Sequence, residues 1–121
     1  MKILVVDDEP LIAMSTADML IDLGHEVIEA HSGEEALDVL RRGEEIDLLL
    51  TDYAMPKMNG SQLATAANEI HPGLMILLAT GYSDVPALPK AGMRVINKPY
   101  LQKELSTEID KLKRPPASGI D

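Results

Sequence analysis

Five residues carry most of the chemistry legible in this chain of 121 residues: Asp7, Asp8, Asp52, Thr80 and Lys98. Each stands at the end of a short apolar run. Asp7-Asp8 follows Ile3-Leu4-Val5-Val6, Asp52 follows Leu48-Leu49-Leu50-Thr51, Thr80 closes Leu77-Leu78-Ala79, and Lys98-Pro99 follows Arg94-Val95-Ile96-Asn97. If those ends meet, they gather three carboxylates, a hydroxyl and an ammonium. Like charges a few ångströms apart raise one another's pKa values, and a divalent cation among them keeps all three ionised at neutral pH. With oxygen donors only, and no Cys or His beside them, the set suits Mg²⁺ or Mn²⁺ and disfavours Zn²⁺. Together these groups make a phosphoryl-transfer site: Asp52 as nucleophile giving an acyl phosphate, Asp7 and Asp8 holding the metal, Lys98 and Thr80 stabilising charge on the transferring oxygens. Singly, each has a plainer reading: Asp7 and Asp8 as caps of a helix near Pro10, Lys98 as a solvated lysine, Thr80 as an ordinary strand end.

The elements that must position these residues are readable from periodicity. Apolar runs at residues 3–6, 27–30, 46–51, 75–80 and 94–97 predict five strands, the first, third and fourth nearly continuous, as in strands covered on both faces. Helical periodicity occupies residues 10–23, 33–42, 61–71 and 100–112. Pro10 suits a first helical turn and Gly24 a left-handed C-terminal residue. Ser32 and Glu35 form a capping box ahead of Ala36, Leu37, Val39 and Leu40. Leu101, Leu105, Ile109 and Leu112 form one apolar stripe. Gly81, Pro86, Pro89 and Gly92 interrupt the pattern, so the helix expected between strands 4 and 5 is irregular. Alternating β and α elements with short connections imply an α/β, doubly wound, five-stranded parallel sheet of order 2-1-3-4-5, a three-layer sandwich of flavodoxin-like architecture. Ligands then sit beyond the carboxyl ends of strands 1 and 3, where the winding reverses. Residues 1–112 form the domain, and residues 113–121, Lys-Arg-Pro-Pro-Ala-Ser-Gly-Ile-Asp, read as a flexible tail.

Composition narrows the function classes. A net charge of −9, from 20 acidic and 11 basic residues, repels a phosphate backbone, and 2% aromatic content leaves little for bases to stack on, so no nucleic-acid partner is expected. Zero cysteines exclude disulfides, Cys-ligated zinc and thiol catalysis. No apolar stretch approaches the roughly 18 residues of a membrane span, and no signal-peptide pattern opens the chain, so a cytoplasmic location and no membrane partner are expected.

Asp7-Asp8 after an apolar strand, Asp52-x-x-Met55-Pro56-x-x-x-Gly60, Thr80 and Lys98-Pro99 together resemble a response-regulator receiver domain, over residues 1 to 112. The resemblance implies that Asp52 accepts a phosphoryl group from a histidine kinase or histidine phosphotransfer protein, and that the backbone carbonyl of Ala54 joins Asp7, Asp8 and Asp52 as a metal ligand. Mg²⁺ is the expected cofactor, with Mn²⁺ or Ca²⁺ as substitutes. Three departures stand out. Val95 occupies a position usually held by Tyr or Phe, so a switch in which that aromatic rotates inward cannot operate. Ala79-Thr80-Gly81-Tyr82 is similar to an Ala-Thr-Gly-Tyr subset, stand-alone or attached to hybrid kinases, with an irregular fourth helix; phosphorylation is then expected to order or shift residues 81–93. Ala54 and Tyr82 stand where receivers tune hydrolysis, and an alanine that cannot hold a water implies slow self-dephosphorylation.

The expected output is a change of protein contacts on the face made by residues 81–112, without turnover of a separate substrate. Other classes fit less well. An aspartyl-phosphatase needs an acid where Ala54 stands, and a flavin carrier would meet phosphate with the acidic turn Asp8-Glu9-Pro10. A scaffold indifferent to phosphorylation has no use for the intact acidic set. Met1 just before strand 1 favours a natural start, while the tail leaves open a fragment of a hybrid histidine kinase; a homodimer through the last helix is a further possibility. Met55-Pro56 reads as structural, and Gly60 as permissive backbone. His25, His31 and His71 read as surface, and Met14, Met19 and Met75 as core filling. Tyr100 either packs near the switch segment or opens the last helix.

Overall fold

In the computed structural model, which describes residues 1–81 and 92–113, the five strands are β1 (Lys2–Val6), β2 (Glu26–Ala30), β3 (Leu48–Asp52), β4 (Met75–Thr80) and β5 (Met93–Asn97). Four helices accompany them, α1 (Pro10–Asp22), α2 (Gly33–Arg41), α3 (Gly60–Ile70) and α4 (Gln102–Lys113). All neighbouring strands pair in parallel, in the order β2-β1-β3-β4-β5. The expected irregular helix and the tail fall on residues 82–91 and 114–121, outside the described residues.

Period-two alternation divides the core into two layers. Leu4, Val6, Leu49 and Ile76 point to one face and pack with Ala36, Leu37, Leu40, Leu63, Ala64 and Ala67 of α2 and α3. Ile3, Val5, Leu48, Leu50, Leu77, Ala79 and Ile96 point to the other and pack with Ala13 and Leu20 of α1 and Leu105 and Ile109 of α4. Strands β1, β3 and β4 are buried almost throughout, which is why their sequences read as runs rather than alternations.

Local signals end the helices where the sequence places them. Gly24 and Gly43 follow α1 and α2 at φ +97° and +90°, conformations that residues with a Cβ rarely adopt. Ser32 accepts the Glu35 N–H, but the Glu35 carboxylate takes the His31 N–H at 2.6 Å rather than that of Ser32, so only half of the expected capping box forms; Asn59 with Gln62 completes one on α3.

Several expectations change. Leu101 is 68% exposed and precedes α4, so the stripe of the last helix rests on Leu105 and Ile109, with Leu112 partly buried. The helix opens at Gln102 because the Glu104 carboxylate accepts the Leu101 N–H at 2.8 Å, while Tyr100 is held elsewhere. Met14 lies on the solvent side of α1 and is exposed, whereas Met19 and Met75 pack against the core. Gly60 serves close approach rather than backbone freedom: a Cβ there would meet the Asp52 carbonyl oxygen at 2.6 Å and Leu78 Cδ2 at 2.7 Å. Its N–H donates to the Tyr53 carbonyl at 2.8 Å, fastening α3 directly under the end of β3.

Gly60→Ala is therefore expected to lower unfolding stability by roughly 1–3 kcal/mol, the usual penalty of overpacking. Gly73→Ala, with open space around the added Cβ, should stay within about 0.5 kcal/mol of wild type. Urea denaturation of the two variants checks the contrast, and equal stabilities would contradict it.

Candidate functional site

The same alternation that divides the core delivers the site. Asp7 continues the stripe Ile3-Val5, Asp52 continues Leu48-Leu50, and Lys98 follows Ile96 by two, so all three belong to the face covered by α1 and α4. One backbone bond carries the sheet ladder a step beyond each strand end, made by Asp7 and Lys98 themselves and, for Asp52 at the end of β3, by the next residue Tyr53. Asp7 N–H donates to the Ala30 carbonyl at 3.1 Å, Tyr53 N–H to the Ala79 carbonyl at 2.8 Å, and Lys98 N–H to the Thr80 carbonyl at 2.8 Å. The Lys98–Pro99 peptide is cis.

Lys98 Nζ lies 3.3 Å from Asp7 Oδ2 and 3.5 Å from Asp52 Oδ1, bridging the two carboxylates. Asp7 and Asp52 are only 4% and 8% exposed. Asp8 is exposed at the rim, and one oxygen of each of the three carboxylates lies within 4.8 Å of the others. The capping reading of Asp7 and Asp8 fails. Glu9 is the N-cap of α1 and no side chain caps it, while Asp7 Oδ1 accepts the Glu9 N–H at 2.9 Å and so shapes the turn before the helix.

The three oxygens are hard donors, and facing ligands of an octahedral Mg²⁺ stand about 4 Å apart. The donor set and its spacing fit such an ion, with exposed Asp8 free to adjust. Ala54 is exposed in the loop two residues beyond Asp52.

Thr80 is buried, and its hydroxyl donates to Asn97 Oδ1 at 3.1 Å. The sequence reading singled out Thr80 but not Asn97. The register pairing of Thr80 with Asn97 is what joins them, and only the register of β4 against β5 could have revealed it. Also missed was Thr16, buried on α1, whose hydroxyl shares a 2.6 Å hydrogen bond with the Tyr100 hydroxyl. Tyr100 does not open the last helix: it packs against α1 beside Lys98, while most of the switch segment named in the other reading lies outside the described residues. Burial pushes the Tyr100 phenol up, against the downward pull of that hydrogen bond. Val95 is half-buried beside a groove of about 300 Å³ between β5 and α4, lined also by Asn97, Lys103, Glu104 and Thr107. Tyr82 lies outside the described residues. Among the histidines, His31 is exposed between Glu29 and Glu35, His25 is half-buried against the amino terminus, and His71 is half-buried.

Burial raises the Asp52 pKa above its ordinary value; Lys98 pulls it down, while Asp7 and Asp8 push it further up. For Lys98, burial pulls down, but the Asp52 and Asp7 carboxylates outweigh it and the net shift is upward. At neutral pH the two shifts contribute with opposite sign, Lys98 stabilising and Asp52 costing, although both make stability fall as pH rises. Lys98, raised above its unfolded value, contributes stability that is complete below that value and lost as pH rises through the folded one. Asp52 is also raised, so the fold takes up a proton between the unfolded and folded values, and stability falls as pH rises through that window. Above it, the ionised carboxylate is a standing cost. Asp52→Asn is therefore expected to raise Tm at pH 7, with the gain shrinking as pH falls to about 4, near the unfolded carboxylate pKa. Millimolar Mg²⁺ should raise the wild-type Tm and do less for Asp7→Asn. A variant no more stable than wild type at pH 7 would mean that the Lys98 attraction outweighs burial and repulsion.

The family profile described as "Response regulator receiver domain" matches residues 3–110. A chemotaxis protein CheY homolog of Campylobacter jejuni is 36% identical over 117 residues, spanning 91% of this chain and 90% of the relative. The sensor kinase CckA of Brucella abortus is 32% identical over 117 residues, which cover 91% of this chain but 12% of that much longer protein. The crystal structure of the receiver domain from the hybrid histidine kinase CckA superposes with a TM-score of 0.81 at 30% identity, covering 94% of this chain and 100% of that one. A matched family profile, full-length similarity and the same five-stranded sheet place this chain in the response-regulator receiver domain family of two-component signalling.

Proposed function

We propose that this domain takes a phosphoryl group onto Asp52 from a phosphohistidine, using Mg²⁺ held by Asp7, Asp8, Asp52 and the Ala54 carbonyl, and signals by changing its protein contacts. The observation that carries the reading is the Lys98 ammonium set 3.3 Å and 3.5 Å from Asp7 and Asp52 in a buried corner. In the transfer, Asp52 Oδ attacks phosphorus, an O–P bond forms as the N–P bond of the donor breaks, and the departing imidazole takes up a proton. When bound, Mg²⁺ neutralises charge on the phosphoryl oxygens and offsets the repulsion among the carboxylates.

The chain's own groups supply the rest. Asp52 is nucleophilic only when ionised, and Lys98 is the group that pulls its pKa down against burial. The same ammonium, already at contact distance from Asp52, is placed to meet an oxygen of the incoming phosphoryl group. Thr80 supplies a neutral donor at the end of β4. Because the product stays on the side chain, the domain turns over no separate substrate.

The donor is a histidine kinase or a histidine phosphotransfer protein, in keeping with how receivers interact. A groove of about 460 Å³ beside Lys98, lined by Leu11, Ile12, Met19, Pro99 and Tyr100, supports an approach across α1. Leu11 is 76% exposed there, as suits a residue covered only on docking. The output face is the surface of β5 and α4, where Val95 and its groove replace the usual aromatic. Ala54 offers no side-chain group to position an attacking water, which supports a long-lived phosphoryl state.

Intact mass after incubation with acetyl phosphate tests the reading. One added phosphoryl group is expected with Mg²⁺, none with EDTA and none in Asp52→Asn. Lys98→Ala should slow the addition by at least about tenfold, the loss of one charge-stabilising contact of roughly 1.4 kcal/mol or more. Ala54→Asn should shorten the phosphoryl lifetime. No addition to folded wild type in Mg²⁺ would favour a scaffold that works without phosphorylation.

A further inference from the structure

We infer that Asn97 is a positioning residue for this site: in the unphosphorylated domain it holds the Thr80 hydroxyl proton, and it must release that proton before Thr80 can donate to a phosphoryl oxygen on Asp52. The inference rests on the proposed role of Asp52 and adds to it a competitor for one donor.

A threonine hydroxyl has a single proton to give. That proton goes to Asn97 Oδ1 at 3.1 Å, so Thr80 cannot serve a phosphoryl oxygen at the same time. Alternation explains the geometry. Thr80 and Asn97 are register partners and lie one residue out of step with Ala79 and Ile96, which point to the α1 and α4 face. The pair therefore stands out of the row formed by Asp52 and Lys98, at the carboxyl end of the sheet where β4 and β5 stop. As long as the bond holds, the hydroxyl is kept away from the row that carries the chemistry.

The exchange is cheap on every side but one. The Thr80 carbonyl is tied to the Lys98 N–H at 2.8 Å, so the hydroxyl changes partner by rotating about χ1 while the strand stays in place. Thr80 is 3% exposed, which leaves little water to satisfy its proton in between. Asn97 is exposed on β5, an edge strand, so its released amide finds water at once. A hydrogen bond to a charged phosphoryl oxygen is roughly twice as strong as a neutral one. The proton therefore moves to the phosphoryl group when one is present and returns to Asn97 when it leaves. An apolar side chain at this position, which immediately precedes Lys98, would provide no such resting state.

Beryllofluoride, an acyl-phosphate mimic, titrated in Mg²⁺ and followed by amide NMR, tests the inference. Asn97→Leu removes the competing acceptor and is expected to tighten beryllofluoride binding by roughly three- to tenfold, the worth of one neutral hydrogen bond. Asn97→Asp keeps an acceptor and should not tighten it. In a Thr80→Val background, Asn97→Leu should change nothing, since the proton in competition is gone. Should the leucine variant fail to fold, Asn97→Ala carries the same expectation. Unchanged or weaker binding by Asn97→Leu or Asn97→Ala, with wild type binding normally, overturns the inference, as does equal tightening in the Thr80→Val background. A wild type that binds no better than Asp52→Asn overturns the Asp52 reading, and this inference falls with it.

Discussion

Two carboxylates that are nearly dry, a third at the rim, and one ammonium between them set the terms for the rest of this molecule. Asp52 and Asp7 are close enough to repel, and burial denies them the screening that water would supply. A flexible chain would relax by swinging one of them into solvent. The sheet fixes their backbones through the bonds of Asp7, Tyr53 and Lys98 at the strand ends, and the Lys98 ammonium between Asp7 and Asp52 offsets part of the repulsion that remains.

That arrangement needs a stiff support, and the packing supplies it. Strands β1, β3 and β4 lie between two helical layers with almost no exposed surface. Because α3 starts at Gly60, a side chain there would meet the Asp52 carbonyl oxygen at 2.6 Å and push on the backbone that carries the Asp52 carboxylate. On the opposite side, the Thr16 and Tyr100 hydroxyls tie α1 to the segment that presents Lys98. The site is therefore clamped from both layers, and Thr80 meets Asn97 at the β4 and β5 edge beside it.

Much of this was legible in advance. The five strands, the four helices described here and the order of the sheet follow from runs, caps and glycines, and strand ends began or stopped within two residues of expectation at positions such as Ile46 and Leu48. Asp7, Asp8, Asp52, Thr80 and Lys98 could be brought together on paper because a doubly wound sheet places its carboxyl ends on one edge. The misreadings share a cause. Leu101 and Met14 are apolar residues at helical spacing, yet both face solvent, because spacing tells which residues share a face and not whether anything covers it.

The sequence by itself determined the fold class, the strand order and the set of groups at the strand ends, since these depend on periodicity and on residue type within a short stretch of chain. The tertiary structure alone decided which of those groups touch. Lys98 bridges Asp7 and Asp52 across 91 and 46 positions of sequence, Thr16 meets Tyr100 across 84, and Thr80 gives its proton to Asn97 rather than toward Asp52. Such pairings follow from strand register and side-chain direction, which are fixed only when the two core layers close on the sheet.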